Sequence, residues 1–110
     1  MKDLLSKQCI PCSIDSEPLT IEEVNLYLEK IDQDWKLAED GRIEKNFKFK
    51  NFKEALNFTN LVGELADQEG HHPSLILAWG LVRVRIWTNN IQGLHENDFI
   101  LAAKIDQLKR

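Results

Sequence analysis

His71 and His72 stand side by side between Gly70 and Pro73, and imidazole is the side chain most easily poised for proton transfer near neutral pH. Two at one corner can serve one small ligand. The flanking residues define that corner: Gly70 takes the left-handed conformation that ends a helix, while Pro73 pushes His72 toward extended backbone. The pair is therefore expected at a helix-to-strand junction. The negative end of a helix dipole favours a nearby cation by about 0.3–1 kcal/mol, which suits His71 to proton donation. Against this, adjacent exposed histidines on a turn often carry no function.

Other residues compete for chemistry. A zinc site drawing on Cys9, Cys12, His71 and His72 would have suitable ligand types, but tandem histidines lack the usual His-x₃₋₅-His spacing. The Cys-Ile-Pro-Cys unit would resemble a redox motif if a strand preceded it and a helix followed. Neither does, so the cysteines read as reduced and incidental. Arg83, Arg85 and Trp87 share one strand face opposite Val82, Val84 and Ile86, and a tryptophan flanked by arginines reads as a subunit interface. Asp98 falls in the first turn of a helix, where dipole compensation is the plain reading.

The elements that must position these groups are legible. Thr20-x-x-Glu23 is a capping box that starts a helix with Val24, Tyr27, Leu28 and Ile31 on one face. Trp35 and Leu37 alternate with polar residues up to the Asp40-Gly41 turn. Ile43, Phe47 and Phe49 then alternate with Glu44, Asn46 and Lys48, completing a hairpin. Asn51 with Glu54 opens a second helix whose stripe of Phe52, Ala55, Leu56, Thr59, Val62 and Ala66 is widened by Phe58, Leu61 and Leu65. A helix apolar over that much of its girth asks for cover on two sides. Leu75 to Trp79 and Val82 to Thr88 make a second hairpin across Gly80, and a last helix runs from about Glu96 to Leu108, with His95 a poor N-cap. The order α-β-β-α-β-β-α implies an α+β domain: a four-stranded antiparallel sheet with three helices on one face.

A chain of 110 residues with 43% hydrophobic content supports one domain. Residues 1–18 read as an N-terminal tail or strap and 19–110 as the domain. The net charge of −4 argues against nucleic acid or an anionic membrane as partner. No apolar run approaches the roughly 18–20 residues of a membrane span, and the first residues lack the apolar core of a secretory signal, so cytoplasmic residence is the default expectation.

Asp67, His71, His72, Pro73, Trp79 and Asp98 fall in register with the pattern of the pterin-4a-carbinolamine dehydratases, which the chain resembles from about Leu19 to Leu108. Phe47-x-Phe49-x-Asn51-Phe52-x-Glu54-Ala55 and Glu96-Asn97-Asp98-Phe99 add to the likeness, and Cys-Ile-Pro-Cys followed by Leu-Thr-x-Glu-Glu-Val resembles bacterial members. One departure stands out: Asn89 occupies the position, nine intervening residues after Trp79, where the pattern has His or Trp.

The resemblance implies loss of water from 4a-hydroxytetrahydropterin to give the quinonoid dihydropterin, a step in tetrahydrobiopterin recycling that needs no metal or bound cofactor. It implies substrate contacts at Gly70, His71, His72, Trp87, Thr88, Asn89, Asn90 and Asp98. His71 would be the proton-transfer residue closest to the 4a carbon, and His72 an orienting or relaying neighbour. Asn89 would hold the hydroxyl without taking its proton, giving a slower enzyme. Gly70 and Trp87 differ from the more polar residues common at their positions. The implied partners are a small pterin substrate, a second copy of the chain in a homodimer or homotetramer, and an aromatic amino acid hydroxylase in the pathway. The alternative implied by the same family is a catalytically degenerate member acting as a protein-binding, assembly or regulatory cofactor.

Overall fold

The computed structural model describes residues 4–10 and 16–108. Helix α1 (Ile21–Leu28) opens with the expected reciprocal cap: Glu23 N–H donates to Thr20 Oγ1 at 3.2 Å and Thr20 N–H donates to Glu23 Oε1 at 2.9 Å. Strands β1 (Lys36–Leu37) and β2 (Ile43–Lys48) form the first hairpin, helix α2 (Phe52–Glu69) follows, β3 (Ser74–Ala78) and β4 (Leu81–Ile86) form the second, and α3 (Glu96–Asp106) closes the chain. All neighbouring strands are antiparallel, in the order β1-β2-β4-β3. The architecture is the α+β fold that the element order implied.

The register explains which face is covered. Ile43 pairs with Ile86 and Phe47 with Val82, so the fully buried positions of β2 and β4 lie on one face, beneath the helices. Lys45 falls between Ile43 and Phe47 on that same inner face and is only 6% exposed. A buried ammonium is costly unless paired, and Lys45 Nζ reaches Asp106 at 2.7 Å and Asp32 at 3.5 Å. Trp35 Nε1 donates to the second Asp106 oxygen at 2.9 Å, so the residue ahead of β1, strand β2 and α3 are joined at one carboxylate. On the outer face Arg85 pairs with Glu44 and Asp40, Arg83 with Asn46, and the Arg42 guanidinium lies 3.9 Å from the centre of the Trp87 ring. Much of the cover that this face was expected to need is thus supplied from within the chain.

Helix α2 is buried through Ala55, Phe58, Val62 and Ala66. Phe58 packs at a tilt against the Phe47 and Phe49 rings and belongs to the core. Phe52 and Leu56, placed in the core stripe by periodicity, are instead among the exposed large apolar residues. The helix carries apolar side chains around most of its girth, and periodicity alone could not say which arc meets the sheet. Gly80, at the second hairpin, has a packing reason to be glycine: a Cβ there would stand 2.7 Å from the Phe49 carbonyl oxygen.

Helix α3 is the most enclosed element, buried without interruption from Asn97 to Ala102 and again at Ile105. It packs against α1, where Tyr27 stacks on Phe99, against α2, and against the segment ahead of α1, a short 3-10 turn at Leu4–Ser6 and the residues after it. Leu4 is part of the core.

Candidate active site

Helix α2 ends as its sequence dictates: Gly70 adopts a left-handed φ of 67°, and the N–H groups of Gly70 and His71 both return to the Ala66 carbonyl. The chain leaves this cap with His71 directed at the start of α3. His71 Nε2 lies 2.6 Å from Asp98 Oδ1, with the histidine side chain 13% exposed and the aspartate fully buried. Asp98 also accepts from Thr88 Oγ1 at 3.0 Å and, through Oδ2, from the His95 backbone N–H at 2.9 Å. Thr88 and the His95 N–H both donate to this carboxylate, so its oxygens act as acceptors, and the 2.6 Å contact is a hydrogen bond in the tautomer that carries the proton on His71 Nε2. Nδ1 is then the nitrogen left to exchange a proton.

The bond from His95 makes Asp98 one half of a cap. His95 is the N-cap of α3, and its Nδ1 accepts from the Asn97 N–H at 3.0 Å, an imidazole doing what Ser, Thr or Asp usually does. One aspartate therefore both starts α3 and orients His71. Asp98, which the family resemblance implied as a substrate contact, lies against His71 and is not among the residues that line the cavity.

That cavity, of about 310 Å³, lies where the α2 cap, the end of β4 and the start of α3 meet. It is lined by Gly70, His71 and His72 from the cap and by Trp87, Thr88, Asn89 and Asn90 beyond β4, so seven residues expected at one site are brought together. The expected strand through Thr88 stops at Ile86. Thr88 makes an isolated bridge to Gly93, and Asn89–Ile91 forms a 3-10 turn, because Thr88 turns its hydroxyl inward to Asp98. This turn carries Asn89 to the cavity. Its Oδ1 accepts from Trp87 Nε1 at 2.6 Å, leaving the amide NH₂ as the group free to donate. His72 reaches Asp67 at 2.9 Å on the open side, where both side chains are mostly solvated.

Two further lining residues, Ile10 and Asn97, were not singled out by sequence reading. Ile10 lies in a stretch without period, and Asn97 looks like an ordinary first-turn polar residue; the only local signal is an asparagine at a position that proves 2% exposed. Next to Ile10, the half-buried Cys9 thiol is pushed up to about 12, by burial first and by nearby Glu69 second, which leaves it protonated at neutral pH and a poor nucleophile. Cys12 lies outside the described residues. Among the described residues no cluster of three or more His, Cys, Asp or Glu is arranged to hold a metal ion, and no helix is long and apolar enough to cross a membrane.

Comparison with known proteins points the same way as this geometry. The family profile for pterin 4 alpha carbinolamine dehydratase matches residues 17–108. A protein of Alkaliphilus metalliredigens, provisionally named pterin-4-alpha-carbinolamine dehydratase, is 48% identical over 107 residues, covering 97% of this chain and 96% of its own. One of Saccharophagus degradans with the same provisional name is 47% identical over 111 residues, covering 98% and 97%. A crystal structure described as that of a transcriptional coactivator/pterin dehydratase from Brucella melitensis shares the fold with a TM-score of 0.76 at 31% identity, covering 82% of this chain and 96% of that one. With a profile match over most of its length and relatives nearly half identical from end to end, the chain belongs to the pterin 4 alpha carbinolamine dehydratase family.

Proposed function

We propose that this protein dehydrates 4a-hydroxytetrahydropterin to the quinonoid dihydropterin, with His71 as the proton-transfer group. The observation that carries the reading is the 2.6 Å contact between His71 and the fully buried Asp98 at the wall of a cavity of about 310 Å³. That volume sits at the small end of the roughly 300–1,000 Å³ typical of ligand pockets and suits a bicyclic ring.

Dehydration breaks the bond between carbon 4a and its hydroxyl oxygen, which departs as water with one added proton, while a proton leaves N5 as the double bond forms. The site therefore needs an acid and a base. His71 exchanges the proton through Nδ1, and Asp98 holds the ring in one tautomer and offsets the charge when the imidazole is protonated. His72, more exposed at the rim, orients the pterin and relays protons to solvent. Asn89, with its carbonyl oxygen already taken by Trp87, holds the hydroxyl through its NH₂ and cannot accept its proton. Gly70, Trp87, Thr88 and Asn90 line the space around the ring. Relative to members with His at the Asn89 position, one acid–base group fewer means a slower enzyme, since each contributes roughly 10²–10⁴-fold.

The test is spectroscopic assay of 4a-carbinolamine dehydration by the purified chain, generated with a hydroxylase in the same cuvette. A rate above the uncatalysed background supports the reading; none sinks it. In that event the family's second role, a protein-binding or regulatory cofactor, is favoured by the Asn89 departure and by the exposed Phe52, Leu56, Ile76 and Trp79. The same exposed apolar residues support a homo-oligomer, which light scattering after size-exclusion measures directly.

A further inference from the structure

Residues 4–10 lie along α3, from Leu4 and Leu5 beside Ala103 and Asp106 at its C-terminal end to Ile10 at Asn97 in its first turn. At Asn97 one side chain takes both backbone groups of Ile10: the Ile10 N–H donates to Asn97 Oδ1 at 3.0 Å, and the Ile10 carbonyl accepts from Asn97 Nδ2 at 2.6 Å. Only an amide can do this, because a carboxylate has no proton for the carbonyl. One residue back, the Cys9 N–H donates to Glu69 Oε1 at 3.0 Å, and the other Glu69 oxygen is held by Lys104 at 2.8 Å. The segment is thus tied to the end of α2 and the start of α3, the two places that set His71 and Asp98.

A backbone held this firmly presents an apolar side chain that is 62% exposed and lines the same cavity as His71 and Asn89. The rest of that lining is predominantly polar. Among the described residues the Ile10 side chain is not part of the core, so packing there gives it no reason to be apolar. A flat ligand lying in the cavity would cover it.

We infer that Ile10 is a substrate-contact residue, packing on the ring of the bound pterin and excluding water from it, and that Asn97 is the residue that positions it. This rests on the pterin reading of the same cavity. The segment would then act on binding and not on proton transfer, so its loss should be felt in KM and leave kcat standing.

The experiment measures dehydration kinetics, and the affinity for 7,8-dihydrobiopterin as a stable probe, in the full chain and in Ile10→Ala, Ile10→Val and Asn97→Asp. Ile10→Ala is expected to raise KM and the probe Kd about tenfold with kcat within about twofold, and Ile10→Val to restore most of the difference. Asn97→Asp keeps the acceptor for the Ile10 N–H but sets an oxygen against its carbonyl, and should move KM in the same direction; thermal melts confirm that each variant is folded. Unchanged KM and Kd in Ile10→Ala overturn the inference while leaving the dehydratase reading intact. A normal KM in a folded Asn97→Asp overturns the positioning role. A wild-type chain that neither binds the probe nor dehydrates the carbinolamine overturns the functional reading and the ring contact together.

Discussion

His71 and His72 are neighbours in sequence with the same side chain, and they live in different solvents. His71 is 13% exposed against an aspartate at 0%, whereas His72 is 63% exposed against an aspartate at 82%. The first contact is made where water does not compete, and its acceptor is itself held by Thr88 and His95. The second is a surface pair of the kind worth about 0–1 kcal/mol and readily screened by salt. Extended backbone before a proline sends successive side chains to opposite sides, so a tandem pair is divided into one inward and one outward histidine. The lesson is that orientation, more than residue type, separates a proton-transfer group from a rim contact.

The widest gap should open between His71→Ala and His72→Ala. The first is expected to lower kcat for dehydration by about 10²–10⁴-fold, the second to raise KM a few-fold at nearly constant kcat. Steady-state kinetics on both variants decide it, and equal losses in kcat would erase the distinction.

Asp98→Asn sharpens the comparison by changing the partner and keeping the histidine. An amide can donate to Nε2 and so favour the other tautomer, and a loss in kcat of about 10²-fold or more is expected with helical circular dichroism retained. The matching change on the outer pair, Asp67→Asn, should leave kcat within about twofold. Were Asp67→Asn the more damaging of the two, the roles of the histidines would be reversed.

Asn89→His adds a titrating group to the turn beyond β4. A several-fold gain in rate is expected, short of the roughly 10²-fold that a well-placed acid–base group contributes, because Trp87 Nε1 loses the oxygen it now donates to. A pH–rate profile reports whether the new imidazole takes part: an added inflection near pH 6.5 is the positive result. A fall in rate would mean that the amide is needed as it stands.

The smallest effect concerns the N-terminal segment against the body of the fold. Glu69 and Glu96 both lie below the ordinary carboxyl value of 4.5. Burial pushes Glu69 up, but the Cys9 N–H and Lys104 outweigh it; for Glu96 the hydrogen bond from Lys7 leads, opposed by burial and helped by Tyr27 and His95. Because the folded values are depressed, their stabilising contribution is complete above about 4.5 and is lost as pH falls through the lower folded values. Melting curves from neutral pH down to about 3 should show Glu69→Gln and Glu96→Gln losing a few degrees at neutral pH and converging on the wild type in acid. A constant difference across that range would show that neither carboxylate titrates with the segment in place.

What the sequence determined by itself was local. The capping box at Thr20, the left-handed stop at Gly70, the alternation of Val82, Val84 and Ile86 and the turn at Asp40-Gly41 each depend on residues no more than four apart, and all appear where the spacing puts them. The Gly-His-His-Pro corner follows from the same kind of rule, and with it the presence of a histidine pair between helix and strand. Tertiary structure decided which arc of α2 meets the sheet and that the inward Lys45 finds Asp106, while the histidine cap of α3 is local but was not expected from residue type. Tertiary structure also decided that Asp98 stands against His71 and outside the cavity lining, and that Ile10 reaches the cavity at all. Apart from the cap, whose partners are two and three residues away, the hydrogen bonds among these join residues 27 to 87 positions apart in the chain, as with His71 to Asp98 and Ile10 to Asn97. Periodicity records only what a side chain needs from its own helix or strand, while a buried carboxylate finds its donors wherever packing brings three of them together.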